Sequence, residues 1–251
     1  MFTDEQEVVR QSIREFAEAE IKPLAATLDR EHRPPLEAIP KLAAQGILGM
    51  TIPQEYGGSR IDNVSFVIAI EEVSRVCATT GVMLDVHASL VCQAILRWGA
   101  EEQKRHYLPK MASGEIIGSF CLTEPGAGSD AGGLATKAVA DGDGYVINGQ
   151  KIFITNGGFA KVFIVLARTS DEPGTRGISA FLVDRGTPGL GIGEPERKMG
   201  IRGSSTVALT FDDMRVPASA LLGPVGAGFK IAMSGLDAGR TGIAAQALGI
   251  A

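Results

Sequence analysis

Residues that cross-link a chain or ligate a metal are scarce in this sequence. Only three cysteines occur in 251 residues, Cys77, Cys92 and Cys121. They are widely spaced and outside any CxxC pattern, which excludes a disulfide framework and makes reduced core thiols in a cytoplasmic setting the expectation. His32, His87 and His106 form no ligand pattern, so no metal is expected. Lys and Arg number 24 against 29 Asp and Glu, a net charge of −5. With no block of five or six like charges, neither nucleic acid nor a polybasic membrane surface is an expected partner. No apolar run reaches the length of a membrane span, and the N-terminus lacks a basic stretch leading into an apolar one, so neither a span nor export is expected. Glycine, by contrast, is abundant at 32 residues, against about 7% in an average chain. Many tight turns or close backbone approaches follow.

The chain reads as α+β in three parts, and the periodicity sets the boundaries. Residues 1–115 carry the helical period and form a helical N-terminal domain. Thr3 with Gln6 is a capping-box pair, and the helix it opens is expected to end at Pro23. Further helices are expected over 36–45, around Phe66–Val73, over Val82–Trp98, which is apolar almost all round, and over Glu101–Leu108 before Pro109. Residues 116–224 switch to a period of two and form a β middle domain, a small antiparallel sandwich or barrel. Its strand candidates are 145–155, with Asn148-Gly149 as a tight turn, then 162–168, 178–184 and 207–211. Residues 225–251 return to helix, in two segments at 229–236 and 243–251. The last has no cap or stop signal, so either a helical C-terminal domain is truncated here or the helix docks on the first domain or another chain.

Gly126-Ala127-Gly128-Ser129-Asp130-Ala131 fits GxGxxG/A literally, but a Rossmann site needs a strand before it and a helix after it. Here Gly132-Gly133 follows, then an alternating stretch into Asp141-Gly142-Asp143-Gly144, and position 151, where an acidic ribose partner would stand, is Lys. Nicotinamide binding is therefore not expected. Small residues in succession still let backbone N–H groups converge on an oxyanion such as a diphosphate, with the Ser129 hydroxyl as a further donor. A plain glycine turn explains the six residues equally well.

The wider stretch, Phe120-Cys121-Leu122-Thr123-Glu124-Pro125-Gly126-Ala127-Gly128-Ser129-Asp130, resembles the flavin-binding signature of the acyl-CoA dehydrogenase family. The resemblance extends in order through Gly149-Gln150-Lys151-Ile152-Phe153-Ile154-Thr155-Asn156-Gly157, Lys198-Met199-Gly200, Phe211-Asp212-Asp213-Met214-Arg215-Val216-Pro217 and Leu236-Asp237-Ala238-Gly239-Arg240. It implies a helical domain, a β domain and a second helical domain enclosing FAD and an acyl-CoA thioester. The implied cofactor residues are Phe120, Leu122, Thr123, Gly128, Ser129, Phe153, Ile154 and Thr155. Leu122 and Thr123 are expected to hydrogen-bond the flavin edge, Gly128 and Ser129 to approach the diphosphate, and Phe153 to flank the ring, with a core Phe as the alternative. Such donors stabilise charge that grows on the reduced ring. Ser129, Asp237 and Arg240 are implied substrate contacts, although Asp237 and Arg240 also suit an ordinary exposed i,i+3 pair.

The implied reaction is α,β-dehydrogenation of an acyl-CoA to the 2-enoyl-CoA. A carboxylate removes the α-proton as hydride leaves the β-carbon. No catalytic base is named within these residues: the position before Arg240, which holds the carboxylate in a minority of the family, is Gly239, and Glu124 reads as structural. Gly239 and its surroundings are similar to the short-chain members, so short straight acyl groups are expected. The resemblance further implies a homotetramer and electron-transfer flavoprotein as acceptor. Two other readings stay open: a non-catalytic flavin- and thioester-binding subunit, and a flavin monooxygenase or oxidase on the same scaffold.

Overall fold

The computed structural model describes residues 2–172 and 174–251. The Thr3 hydroxyl accepts the Gln6 N–H at 3.3 Å and the Gln6 side chain accepts the Thr3 N–H at 3.1 Å, which completes the capping box. Helix α1 (Asp4–Phe16) does not end at Pro23. It widens into a π turn at Ala17–Ile21 and continues as α2 (Lys22–Glu31). Pro23 falls in the first turn of α2, where a missing N–H is cheap. After α3 (Ala38–Ala44), Asp62 caps α4 (Asn63–Val76) by accepting the Val64 and Ser65 N–H groups.

A central rod follows: α5 (Ala78–Asp85), a π segment at Val86–Cys92, and α6 (Gln93–Trp98). By length and composition this rod would suffice to cross a membrane, but 78% of its apolar window is buried inside the fold, where it serves as the core helix. Helix α7 (Glu101–Ala112) continues past Pro109, a correction to the expected stop. Tyr107, Leu108 and Met111 are all buried. At about 1.5–3 kcal/mol for each large apolar side chain, their burial outweighs the ~3 kcal/mol an internal proline costs.

The middle region contains β1 (Gly118–Cys121), β2 (Lys137–Asp141), β3 (Gly144–Thr155), β4 (Val162–Arg168), β5 (Ile178–Asp184), β6 (Leu190–Ile192), β7 (Thr206–Pro217) and β8 (Leu221–Leu222). They form one sheet in the order β6-β7-β3-β2-β4-β5-β8. It is mostly antiparallel, but β1 lies parallel to β4, and β2 meets β4 in parallel at Lys137 and Arg168. Strands β4 and β5 read as unbroken apolar runs because both faces are covered. Phe163, Val165, Phe181 and Val183 point into the β core, whereas Ile164, Leu166, Ala180 and Leu182 pack against α7 and the central rod.

Asn148-Gly149 makes no hairpin turn; β3 runs through it, and the turn lies at Asp141-Gly144. Between Ile147 and Gly149 the register with β7 shifts, so one residue of β3 opposes two of β7. The Asn148 amide brackets the extra residue, donating to the Asp213 carboxylate at 3.0 Å and accepting its N–H at 2.8 Å. Facing a bulge calls for the same residue types as a turn, because the Asn148 amide serves the extra residue of β7 and a Cβ at Gly149 would meet Thr136 at under 3 Å.

The two expected C-terminal helices are one, α8 (Gly228–Ile250). Its glycines mark close approach rather than helix ends. A Cβ on Gly249 would lie 2.3 Å from the Glu71 carbonyl, and one on Gly242 would lie 1.9 Å from Asp85 Oδ1. Helix α8 therefore docks on α4, α5 and the π segment of the first helical region.

Candidate functional site

Two segments that are distant in sequence meet at the exposed end of the sheet. β1 runs out at Cys121, and Thr123 then accepts the Ile152 N–H at 2.9 Å while the Leu122 carbonyl accepts the Lys151 ammonium at 3.1 Å. Residues 122–130 are thereby fixed beside 150–155. A second tie holds the far end, where the Ser119 hydroxyl donates to the Thr155 carbonyl at 2.6 Å.

Beneath the glycine loop lies a buried ion pair that the sequence did not reveal. The Glu124 carboxylate accepts Lys151 Nζ at 2.7 Å, the Ala135 N–H at 2.6 Å and the Thr136 N–H at 3.0 Å. Lys151 is fully buried and Glu124 is 5% exposed. Burial alone would push the Glu124 carboxyl up, but the adjacent ammonium and the three donated hydrogen bonds more than offset it and hold it below the usual carboxylate range. Burial also lowers the ammonium, which the carboxylate partly counters. Glu124 therefore anchors the loop, as its structural reading holds, and both its oxygens are engaged.

Above this anchor the chain presents its own donors. Reciprocal Glu124 and Ala127 backbone bonds of 3.1 Å close a tight turn. Beyond it the N–H groups of Gly128, Ser129 and Asp130 donate to no protein group among the described residues. A Cβ at Gly126 or Gly128 would meet nothing within 4 Å, so this backbone borders open space.

β3 carries a second bulge between Lys151 and Ile154, where two residues oppose one of β7. Phe153 is the extra residue, with φ of 57°, and its ring is turned outward at 61% exposure. A left-handed backbone at a bulky residue is costly, about 1–3 kcal/mol, and such positions cluster at binding sites. The core-Phe alternative thus does not describe Phe153. Its neighbour Ile154 is buried in the β core and Phe120 packs in the interface with the helices. Those two can face the open side only through their backbone. Leu122 is mostly buried, Thr123 and Thr155 are half-buried, and Ser129 is exposed.

Asp237 and Arg240 sit on α8 as an exposed pair 3.8 Å apart, and neither is hydrogen-bonded to Ser129. Arg240 lies instead on the wall of a cleft of about 580 Å³ between α8 and the central rod. Val86, Leu90, Leu236 and Gly239 line the same cleft, together with one carboxylate, Asp85. Helical spacing alone did not pick out this cleft, although an Asp inside the apolar run 82–98 was visible. His87, two residues on, is held neutral by burial, its pKa lowered to about 4. Its Nδ1 accepts the Gly118 N–H at 3.3 Å, which makes Nε2 the donor to the Met111 carbonyl at 3.2 Å. It ties the central rod to β1 and α7.

An α–β–α chain with an open donor loop beside an outward aromatic ring, and a largely apolar cleft between two helices, is the arrangement that the described residues present. Residues 3–115 match the family model described as "Acyl-CoA dehydrogenase, N-terminal domain" and residues 119–214 match "Acyl-CoA dehydrogenase, middle domain". The short-chain specific acyl-CoA dehydrogenase of Clostridium acetobutylicum is 54% identical over 249 residues, which is 99% of this chain and 66% of that protein. Butyryl-CoA dehydrogenase from Megasphaera elsdenii superposes with a TM-score of 0.95 at 42% identity, covering 99% of this chain and 66% of its own. Glutaryl-CoA dehydrogenase from Mycobacterium smegmatis, in complex with FADH2, superposes with a TM-score of 0.92 at 35% identity, covering 99% of this chain and 62% of its own. The chain belongs to the acyl-CoA dehydrogenase family, and it spans 66% of the length of the first of these relatives.

Proposed function

We propose that the protein catalyses FAD-dependent α,β-dehydrogenation of short-chain acyl-CoA thioesters to 2-enoyl-CoA. The observation that carries this reading is the junction of 122–130 with 150–155, in a chain 54% identical to a short-chain specific relative. The residues present fit FAD. Unpaired N–H groups at Gly128 and Ser129 suit the diphosphate, the open space over Gly126 and Gly128 admits it, and exposed Phe153 offers a face for the ring. Leu122, Thr123 and Thr155 would hold the ring edge, with Phe120 and Ile154 contributing backbone only. When bound, FAD supplies the hydride acceptor.

On the protein's side, the apolar wall of the cleft holds the acyl chain and α8 orients the thioester through Arg240 on that wall and its ion-pair partner Asp237, while Ser129 contributes from the glycine loop. Neither Gly239, which occupies the position on α8, nor Glu124, which is committed to Lys151 and two N–H groups, takes the α-proton. In the same reading the enzyme is a cytoplasmic homotetramer that passes electrons to an electron-transfer flavoprotein. Anaerobic titration of the full-length protein with butyryl-, octanoyl- and palmitoyl-CoA tests the reading. Bleaching of a flavin band, fastest with butyryl-CoA, is expected. A flavin that no acyl-CoA bleaches, or a preference for palmitoyl-CoA, would contradict it.

A further inference from the structure

The cleft between α8 and the central rod ends on a carboxylate that an all-hydrocarbon substrate would leave unused. Asp85 is 1% exposed, and no cation forms an ion pair with it among the described residues. Oδ1 accepts the Ser89 hydroxyl at 2.6 Å and is covered by Gly242, whose missing Cβ would lie 1.9 Å from it. Oδ2 has no hydrogen-bond partner among the described residues, although the side chain lines the cleft. A carboxylate in a side chain this buried, with one oxygen lacking a protein donor, is costly in its charged form. Asp85 also stands where the central rod departs from α-helical geometry, one residue before the π segment Val86–Cys92, and such segments concentrate at functional sites.

We propose that Asp85 makes this cleft selective for acyl groups that carry a hydroxyl on their distal carbon, with Oδ2 accepting the hydroxyl proton. The inference rests on the cleft being the acyl site. A neutral donor suits it better than an ammonium, because the Arg240 guanidinium lines the same cleft and would repel a second cation. The remaining walls, among them Val86, Leu90, Leu236 and Ile243, hold the methylene chain without competing for its polar end. Burial raises the carboxyl to about 6, so at pH 7.5 Asp85 is an acceptor seeking a donor. A site built to hydrogen-bond a substrate hydroxyl discriminates against the analogue lacking it, since the buried acceptor is then left unpaired.

The test compares two unreactive thioethers, S-butyl-CoA and S-(4-hydroxybutyl)-CoA, by calorimetric titration of the full-length protein and of Asp85→Asn and Asp85→Leu. The wild type is expected to bind the hydroxylated ligand at least about tenfold more tightly. Asp85→Asn should shrink that ratio to about threefold or less, and Asp85→Leu, of similar shape, should reverse it. A wild-type ratio near one, or a ratio that both variants leave unchanged, overturns the proposal while leaving the dehydrogenase reading intact. Binding of neither thioether overturns both. Loss of butyryl-CoA turnover in Asp85→Asn with both binding constants unchanged would overturn the inference too, by making Asp85 the proton acceptor.

Discussion

Replacing Lys151 by Met removes the cation under the glycine loop and leaves its neighbours in place. Glu124, 5% exposed, would keep the Ala135 and Thr136 N–H groups at 2.6 and 3.0 Å but lose the ammonium at 2.7 Å. The Leu122 carbonyl would lose its donor as well. Breaking one side of a buried pair typically costs 3–5 kcal/mol, because the remaining charge is uncompensated. Two surviving hydrogen bonds place the expected loss at the lower end, about 3 kcal/mol, or roughly 6–12 °C in melting temperature for a chain of this size. Glu124→Gln sets an amide NH2 against backbone N–H donors and is also destabilising. Because both changes disrupt one interaction, the double variant should lose about 2 kcal/mol less than the sum of the two. Urea unfolding of the four proteins, followed by circular dichroism, measures the cycle. A Lys151→Met protein within 1 kcal/mol of wild type, or strict additivity, would refute the argument that this pair anchors the loop.

Asp85 predicts a pH dependence of opposite sign to that of the ion-paired Glu124. Its carboxyl is raised from 3.8 to about 6, so the folded state holds its proton more tightly than the unfolded one. Its contribution is complete below pH 3.8 and is lost as pH rises through 6, by about 3 kcal/mol in all. The stability of wild type relative to Asp85→Asn should therefore fall across that window, and chemical denaturation at a series of pH values checks it. Arg240→Ala should weaken acyl-CoA binding about tenfold or more and leave flavin content unchanged, since Arg240 lies on the cleft and not on the glycine loop; calorimetry and absorbance read the two effects separately.

Much of this architecture was legible because burial leaves a period. The strands Val162–Arg168 and Ile178–Asp184 and the buried central helix stand out as apolar runs, and the flavin signature is long enough to identify by its residue order. What escaped reading depends on partners far away in the chain. Pro23 and Pro109 look like helix stops until a π turn and the burial of Tyr107, Leu108 and Met111 override the local cost. The glycines of α8 look like breaks, yet they are where Asp85, Glu71 and Leu90 press against the helix. Asn148-Gly149 has the chemistry of a turn but lies within β3, facing the extra residue of β7. Lys151 carried no sign of burial, because only the fold brings Glu124 beneath it.

The flavin cradle is the claim on which the rest depends, and Gly128→Val tests it most directly. A Cβ at Gly128 meets no protein atom within 4 Å, so the branch point of a new side chain falls in open space rather than against the protein. A valine there would fill the space that the backbone leaves for a diphosphate. Flavin absorbance of the purified full-length protein, measured after FAD addition and removal of the excess, should show one equivalent bound in wild type. The variant should bind little or none, with unchanged circular dichroism and melting of the apoprotein. Full flavin content in Gly128→Val, or colourless wild type under the same treatment, would contradict the assignment of residues 122–130 as the cofactor site.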